Sequence, residues 1–350
     1  MKRLMACFLV LVTVPAVAMA QVYPDRIEVR TKARAVIAAA YQGRDRDNAR
    51  EEQVDRQTRT LKLGPEGTLG LGNIAGDITV TRGNGADTSV EIIKTARGRD
   101  VNDARELLQL VQVEVSERAG RADIRANYPR GDEARRNNRR NINVSVAYVV
   151  TAPAGTRVTV DSISGDIKIA DIKGDISANT ISGDVRISGA ARVNAAKSIS
   201  GTIEIADAHT DGALASSSVS GDVILRRVTA RRIEAGTVSG NVKIDDVTCD
   251  RVSAKTTSGS VGFVGTLAKS GRYELGSFSG EVRLYLSGGT GFEIDANSFS
   301  GDIRSDFDIV TKGPVQTGRG RRTALTGTFG DGSAVLDLTT FSGSIIVSKR

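Results

Sequence analysis

Tryptophan is absent, aromatic residues make up 4% of the 350, and there is a single histidine. A chain so poor in aromatics has little with which to build sugar-stacking platforms or the aromatic belts of a membrane interface. His209 and Cys249 are too few ligands for a zinc site. No G-x-S-x-G elbow offers His209 a nucleophile, so the histidine is expected at an exposed turn. The glycine-rich runs at Gly288 to Gly291 and Gly327 to Gly332 lack the lysine of a phosphate-binding loop. No catalytic residue, metal site or cofactor is expected.

Long apolar runs are also missing. The longest opens the chain, where Lys2 and Arg3 precede an apolar stretch from Phe8 to Val17 and the small-residue site Ala18-Met19-Ala20. That order describes a secretory signal over residues 1–20, and the stretch is shorter than the roughly 20 residues a membrane span requires. No transmembrane segment is expected in the mature chain from Gln21. Cys7 precedes the apolar stretch instead of ending it, so lipid attachment is not expected. Cys249 is then alone, cannot form an internal disulfide, and is expected to be a small buried residue. The formal charge of +7 falls to +5 once Lys2 and Arg3 leave. This mild excess favours anionic surfaces, whereas export and the lack of a nucleic-acid module argue against nucleic acid.

What the chain has in abundance is a repeated phrase: an apolar residue, Ser-Gly, one polar residue, then apolar residues at alternate positions. SISGDIKIA from Ser162 is the clearest copy. Its glycines are Gly165, Gly183, Gly201, Gly221, Gly240, Gly259, Gly280, Gly301 and Gly343, in steps of 18 to 21 residues with a last step of 42. Two positions after the glycine come Ile167, Val185, Ile203, Val223, Val242, Val261, Val282, Ile303 and Ile345, and four after it comes another apolar series beginning with Ile169 and Ile187. A third series, seven before the glycine, includes Val158, Ile176, Ile233 and Val252. Period-2 alternation of β-branched residues marks strands with one buried face.

Self-similarity at about 20 residues predicts an all-β parallel β-helix or β-solenoid over residues 156–350, with equivalent side chains stacked in ladders. One coil alone cannot offset the entropy of ordering its residues, so neighbours must share the core. The glycines are expected at corners that need positive φ or close approach between coils, with the preceding serine bonded to the bent backbone. Asp166, Asp184, Asp222 and Asp302 follow the glycine, but Thr202, Asn241, Ser260 and Glu281 share the slot, which favours turn chemistry over a calcium ladder. The mixed slot also gives no flat threonine array for ice binding. Phe278, Phe299 and Phe341 stand two before the glycine, where earlier copies have Ile163, Ile181, Ile199, Val219 and Val238. They are expected to form an internal aromatic stack.

Residues 21–60 are charged and arginine-rich and are expected to be a helical or flexible lead. Residues 61–155 read as a strand-rich mixed α+β cap with one helix at Asn102 to Leu110, including an early solenoid phrase around Gly76. Together the leader, the G-D-I-T-V strand from Gly76, the helix-containing insert, the A-P-A-G turn at Ala152 to Gly155 and the serial S-G-D phrases resemble the bacterial "putative adhesin" family, over roughly residues 60–350. The resemblance implies a stacked β fold of unknown function in a secreted, periplasmic or cell-surface location. It assigns no site residue.

The reading that follows is a non-enzymatic exported envelope or surface module whose partner is an envelope glycan, an anionic surface or another protein. Arg135, Arg136, Arg139 and Arg140 are the candidate anionic-ligand residues. A polysaccharide lyase or hydrolase using solenoid carboxylates such as Asp161, Asp166 and Asp184 is one alternative. An envelope-stress accessory bound to a membrane partner is another. Lys349 and Arg350 are expected at the end of the array, discouraging end-to-end association.

Overall fold

The computed structural model describes residues 50–129, 142–311 and 323–350. Among them the alternating segments form two long sheets of 13 and 14 strands, in which each coil contributes one strand to each sheet. The pairings are parallel and in register: Ile167, Val185, Ile203 and Val223 are successive partners in one sheet. Ile176 pairs with Val158 in the other. All of these side chains are buried, so the inward series read from the sequence form one continuous apolar core. Ten two-strand coils stacked at about 4.8 Å make an array roughly 45 Å long.

Chain order and stacking order differ at the end of the array. The coil made by Ala334–Ser342 and Ile345–Lys349 inserts between the Gly280 coil and the Gly301 coil. The 42-residue step is thus a detour, and a strictly serial stack is corrected. Lys349 and Arg350 consequently lie inside the array rather than at its tip. The Arg350 amide donates to the Leu286 carbonyl at 2.9 Å and its guanidinium reaches Asp246 at 2.7 Å. The tip itself is closed by Phe292, Phe307 and Phe329, whose ring centroids lie 4.9 to 5.3 Å apart.

At the other end the early phrase around Gly76 is the first coil, pairing directly with the Gly165 coil. Above it lie strands Arg121–Asn127 and Val144–Ala152, then the antiparallel strands Gln112–Arg118 and Thr88–Gly98. The predicted helix spans Val101–Leu110. Its N-cap Asp100 accepts from the Asp103 amide at 2.8 Å, and Ala104 and Leu107 are buried. Residues 21–49 of the expected charged lead, like the expected signal segment, lie outside the described residues, and the lead's remainder enters an edge strand, Glu51–Leu61. Its charged residues are those that discourage pairing with another chain.

Two kinds of corner join the sheets. At one, Gly183 has φ +142, and a Cβ there would fall on the Gly165 carbonyl oxygen, so the residue must be glycine for both reasons. At the other, Asp171, Asp207, Arg227 and Asp246 adopt left-handed φ of 50 to 60°. Arg227 bridges to Asp207 there through two bonds of 2.6 and 2.8 Å. That guanidinium holds the Asp207 carboxyl below its usual range.

Candidate functional site

The three residues before each corner glycine have separate tasks, set by the direction of each side chain. Three before it stands a buried hydroxyl, unpartnered among the described residues at Ser162 and Thr180. The other seven, Ser198, Ser218, Thr237, Thr256, Ser277, Ser298 and Thr340, donate to the glycine carbonyl of the neighbouring coil at 2.8 to 3.2 Å, as Thr256 does to Gly240 at 2.9 Å. The serine immediately before the glycine is exposed and contributes its backbone carbonyl, to which the glycine amide of the preceding coil donates, as Gly183 does to Ser200 at 3.0 Å. The hydroxyl that bonds to the bend is therefore three before the glycine, and the expectation for the adjacent serine is corrected.

Directly after the glycine, four Asp or Asn side chains from Asp166 to Asn241 accept the backbone amide of the same slot one coil on. Asp166 accepts from Asp184 at 3.0 Å, Asp184 from Thr202 at 2.9 Å, Asp222 from Asn241 at 2.8 Å and Asn241 from Ser260 at 3.0 Å. These oxygens link coils, which is turn chemistry of the expected kind. Among the described residues no group of three or more His, Cys, Asp or Glu could hold a metal ion.

Between the hydroxyl and the serine, the residue two before the glycine points out of the solenoid. Ile163, Ile181, Ile199, Val219, Val238, Phe278, Phe299 and Phe341 are between 45% and 57% exposed, and the polar Thr257 interrupts the row at the Gly259 coil. The expected internal aromatic stack is thus an external one. Phe341 stacks between Phe278 and Phe299, with centroids 4.8 and 4.6 Å apart and planes within 4° of parallel. The cause is register: residues three before the glycine already fill the inside of the corner, so their neighbours on a pleated strand must face outward. The sequence had the signal, a hydroxyl residue at every position three before the glycine except Asn73 in the first coil.

Beside the ring stack runs a groove of about 570 Å³ floored by Gly276 and lined by Lys255, Glu274, Asn297, Thr339 and the three phenylalanines. Gly276 leaves it open without needing to, since a Cβ there would meet the Thr339 oxygen at 3.6 Å and the Lys255 Cγ at 3.9 Å. Lys255 pairs with Glu274 along one wall and holds that carboxyl below its usual range. The parallel rings turn their faces to one another and their edges to solvent, which suits an apolar contact better than a stacked sugar.

The remaining sequence candidates fall elsewhere. Arg135, Arg136, Arg139 and Arg140 lie outside the described residues. A Cβ at any of the glycines Gly165, Gly183, Gly201, Gly221, Gly240, Gly259, Gly280, Gly301 and Gly343 would meet the glycine carbonyl of the neighbouring coil. His209 begins the strand His209–Ser217, exposed and 3.3 Å from Asp211. Cys249 is buried and free, donating to the Arg251 carbonyl at 2.9 Å, and burial pushes its thiol pKa up. Asp161 accepts from Asn179 at 3.0 Å. Among the described residues no helix is long and apolar enough to cross a membrane.

These features define a β-solenoid whose chemistry lies in repeated outward rows. The chain belongs to the Toastrack DUF4097 family, whose model matches residues 72–348. Among solved structures it is similar to a "putative adhesin" of Bacteroides fragilis at 14% identity and a TM-score of 0.42, covering 85% of this chain and 97% of that one. It is also similar to a "putative cell adhesion protein" of Clostridium sporogenes at 10% identity and a TM-score of 0.20, covering 86% of this chain and all of that one. No curated protein matches the chain.

Proposed function

We propose that the protein is exported to the bacterial envelope or cell surface and works there as a non-enzymatic, adhesin-like interaction module that makes contact through its outer apolar ladder. The observation that carries this reading is the line of eight half-exposed apolar side chains, from Ile163 to the Phe278, Phe341 and Phe299 stack. Exposed apolar surface of this extent, five aliphatic rungs and three rings separated by Thr257, marks an interaction site, because leaving it in water is costly. The sequence features of a secretory leader support export. The acids considered for catalysis support a structural role, since Asp161, Asp166 and Asp184 accept hydrogen bonds from adjacent coils. The four arginines from Arg135 to Arg140 add a second, salt-sensitive contact for anionic head groups or glycans.

The reading is tested by location and by retention. Fractionation and protease treatment of intact cells should find the chain outside the cytoplasm. Retention on isolated envelopes should fall about tenfold when Phe278, Phe299 and Phe341 are all replaced by serine, the loss expected from removing buried aromatic anchors. Unchanged retention, or turnover of an envelope polysaccharide that a single carboxylate substitution abolishes, would contradict it.

A further inference from the structure

We infer that the partner of the outer ladder is the same ladder on a second copy of this chain, so that two solenoids associate side by side. This rests on reading the ladder as the contact surface and goes further by naming what covers it. Four observations converge on it.

The first is area. Eight side chains between 45% and 57% exposed, five aliphatic and three aromatic on either side of Thr257, together present on the order of 700 Å² of apolar surface, which approaches the about 800 Å² each partner buries in a standard interface. The second is pitch. The phenylalanine rings stand 4.6 and 4.8 Å apart, and the aliphatic rungs follow parallel strand pairing at Ile163, Ile181 and Ile199 and isolated parallel bridges beside Val219 and Val238. A row of teeth at that spacing stays interdigitated only with a row of equal spacing, which a second copy supplies by construction.

The third is charge. The ladder is bordered on one side by the exposed serines preceding each glycine and on the other by a mostly neutral column whose charged members are Asp161, Lys197 and Lys255. Two copies therefore meet along a line with few charges, of which Lys255 is already paired with Glu274. The fourth is the guarding of the ends. The edge strands at one end, Glu51–Leu61 and Gln112–Arg118, are charged, and those at the other, Ile303–Ser305 and Val310–Thr311, are three and two residues long. Such edges oppose end-to-end stacking. Lateral pairing is left, and a self-complementary patch related by a two-fold axis closes at two copies.

Sedimentation of the chain from Gln21 over a concentration series tests the pairing. The unaltered protein should move from one chain mass toward two. The triple variant Phe278→Ser, Phe299→Ser and Phe341→Ser should dissociate about a hundredfold more readily, as the loss of three buried aromatic contacts implies. A control, Lys243→Ser on the outer face of the other sheet, should leave association unchanged. Circular dichroism melting establishes that each variant is folded. If the triple variant does not fold, Ile181→Ser with Ile199→Ser serves instead, at an expected loss of about tenfold. A chain that stays single at all concentrations, or pairs equally well without the ladder, overturns the inference. Retention on an octyl-bearing resin then separates the two readings. Retention that falls in the triple variant of a single-chain protein leaves the ladder a contact surface for something else, and retention that does not fall removes both.

Discussion

Gly343 occupies the place on Gly280 that chain order would give to Gly301. The Gly280 amide donates to the Ser342 carbonyl at 2.9 Å, and the Gly343 amide to the Ser300 carbonyl at 3.1 Å. The last segment of the chain is therefore an inner layer, and the layer outside it depends on it.

Removing residues 334–350 should accordingly cost more than one coil. The strand Phe292–Ser300 pairs in parallel with Ala334–Ser342, and Ile303–Ser305 pairs with Ile345–Lys349. Hydrogen exchange should show Phe292–Ser300 losing protection together with the deletion, at unchanged protection for the Gly183 coil. Retained protection of Phe292–Ser300 would argue for a serial stack.

Corner and surface glycines should differ sharply in their tolerance of a methyl group. Gly221→Ala meets both φ +150 and the Gly201 carbonyl, and strain of this kind costs roughly 2 to 4 kcal/mol. Gly276→Ala meets ordinary contacts and should change stability by less than about 0.5 kcal/mol. Urea denaturation of the two variants gives the comparison.

The buried hydroxyls should separate in the same way. Thr256→Val removes the donor to the Gly240 carbonyl and should cost about 1 to 3 kcal/mol. Thr180 is buried with its hydroxyl unpartnered among the described atoms. Thr180→Val is therefore expected to be neutral or stabilising. Equal losses at both sites would remove the ladder bond as the explanation.

Alkaline pH should loosen the capped end. Burial raises the Tyr128 phenol to about 12 and raises Tyr148 as well. Both hydroxyls donate to backbone carbonyls, Tyr128 to Val144 at 3.2 Å and Tyr148 to Gly72 at 3.3 Å. A folded-state pKa above the unfolded value of about 10 gives stability that is complete below pH 10 and lost as pH climbs through 12. Melting temperature measured from pH 9 to 12 should fall, and Tyr128→Phe should flatten the fall. An unaltered slope in that variant would assign the loss to other groups.

Much of this architecture was legible because one physical signal, alternation at period 2 inside a repeat of about 20 residues, was present in nearly every copy. It located the inward rows at Ile167 and Ile169, the corner glycines and the turn role of Asp166 and Asp184. It did not order the coils, since a 42-residue step is compatible with either a skipped layer or a detour, and only three-dimensional pairing distinguishes them. The outward direction of Phe278, Phe299 and Phe341 was missed because an apolar residue is ordinarily assigned to the interior. The neighbouring hydroxyls at Ser277, Ser298 and Thr340 are what occupy that interior, satisfying glycine carbonyls that would otherwise be unpaired. The arginines from Arg135 to Arg140 stand out in the sequence by charge alone, which says nothing of position.

The direction of the ladder is most directly read by thiol reactivity. Ile181→Cys and Ile187→Cys place one cysteine two before a corner glycine and one four after the same glycine, and the native Cys249, buried with a raised thiol pKa, should stay silent in the folded protein. Maleimide should label Ile181→Cys at the rate of an exposed thiol and leave Ile187→Cys unlabelled until the protein unfolds. Protection at 181 with rapid labelling at 187 would contradict the outward ladder and everything built on it.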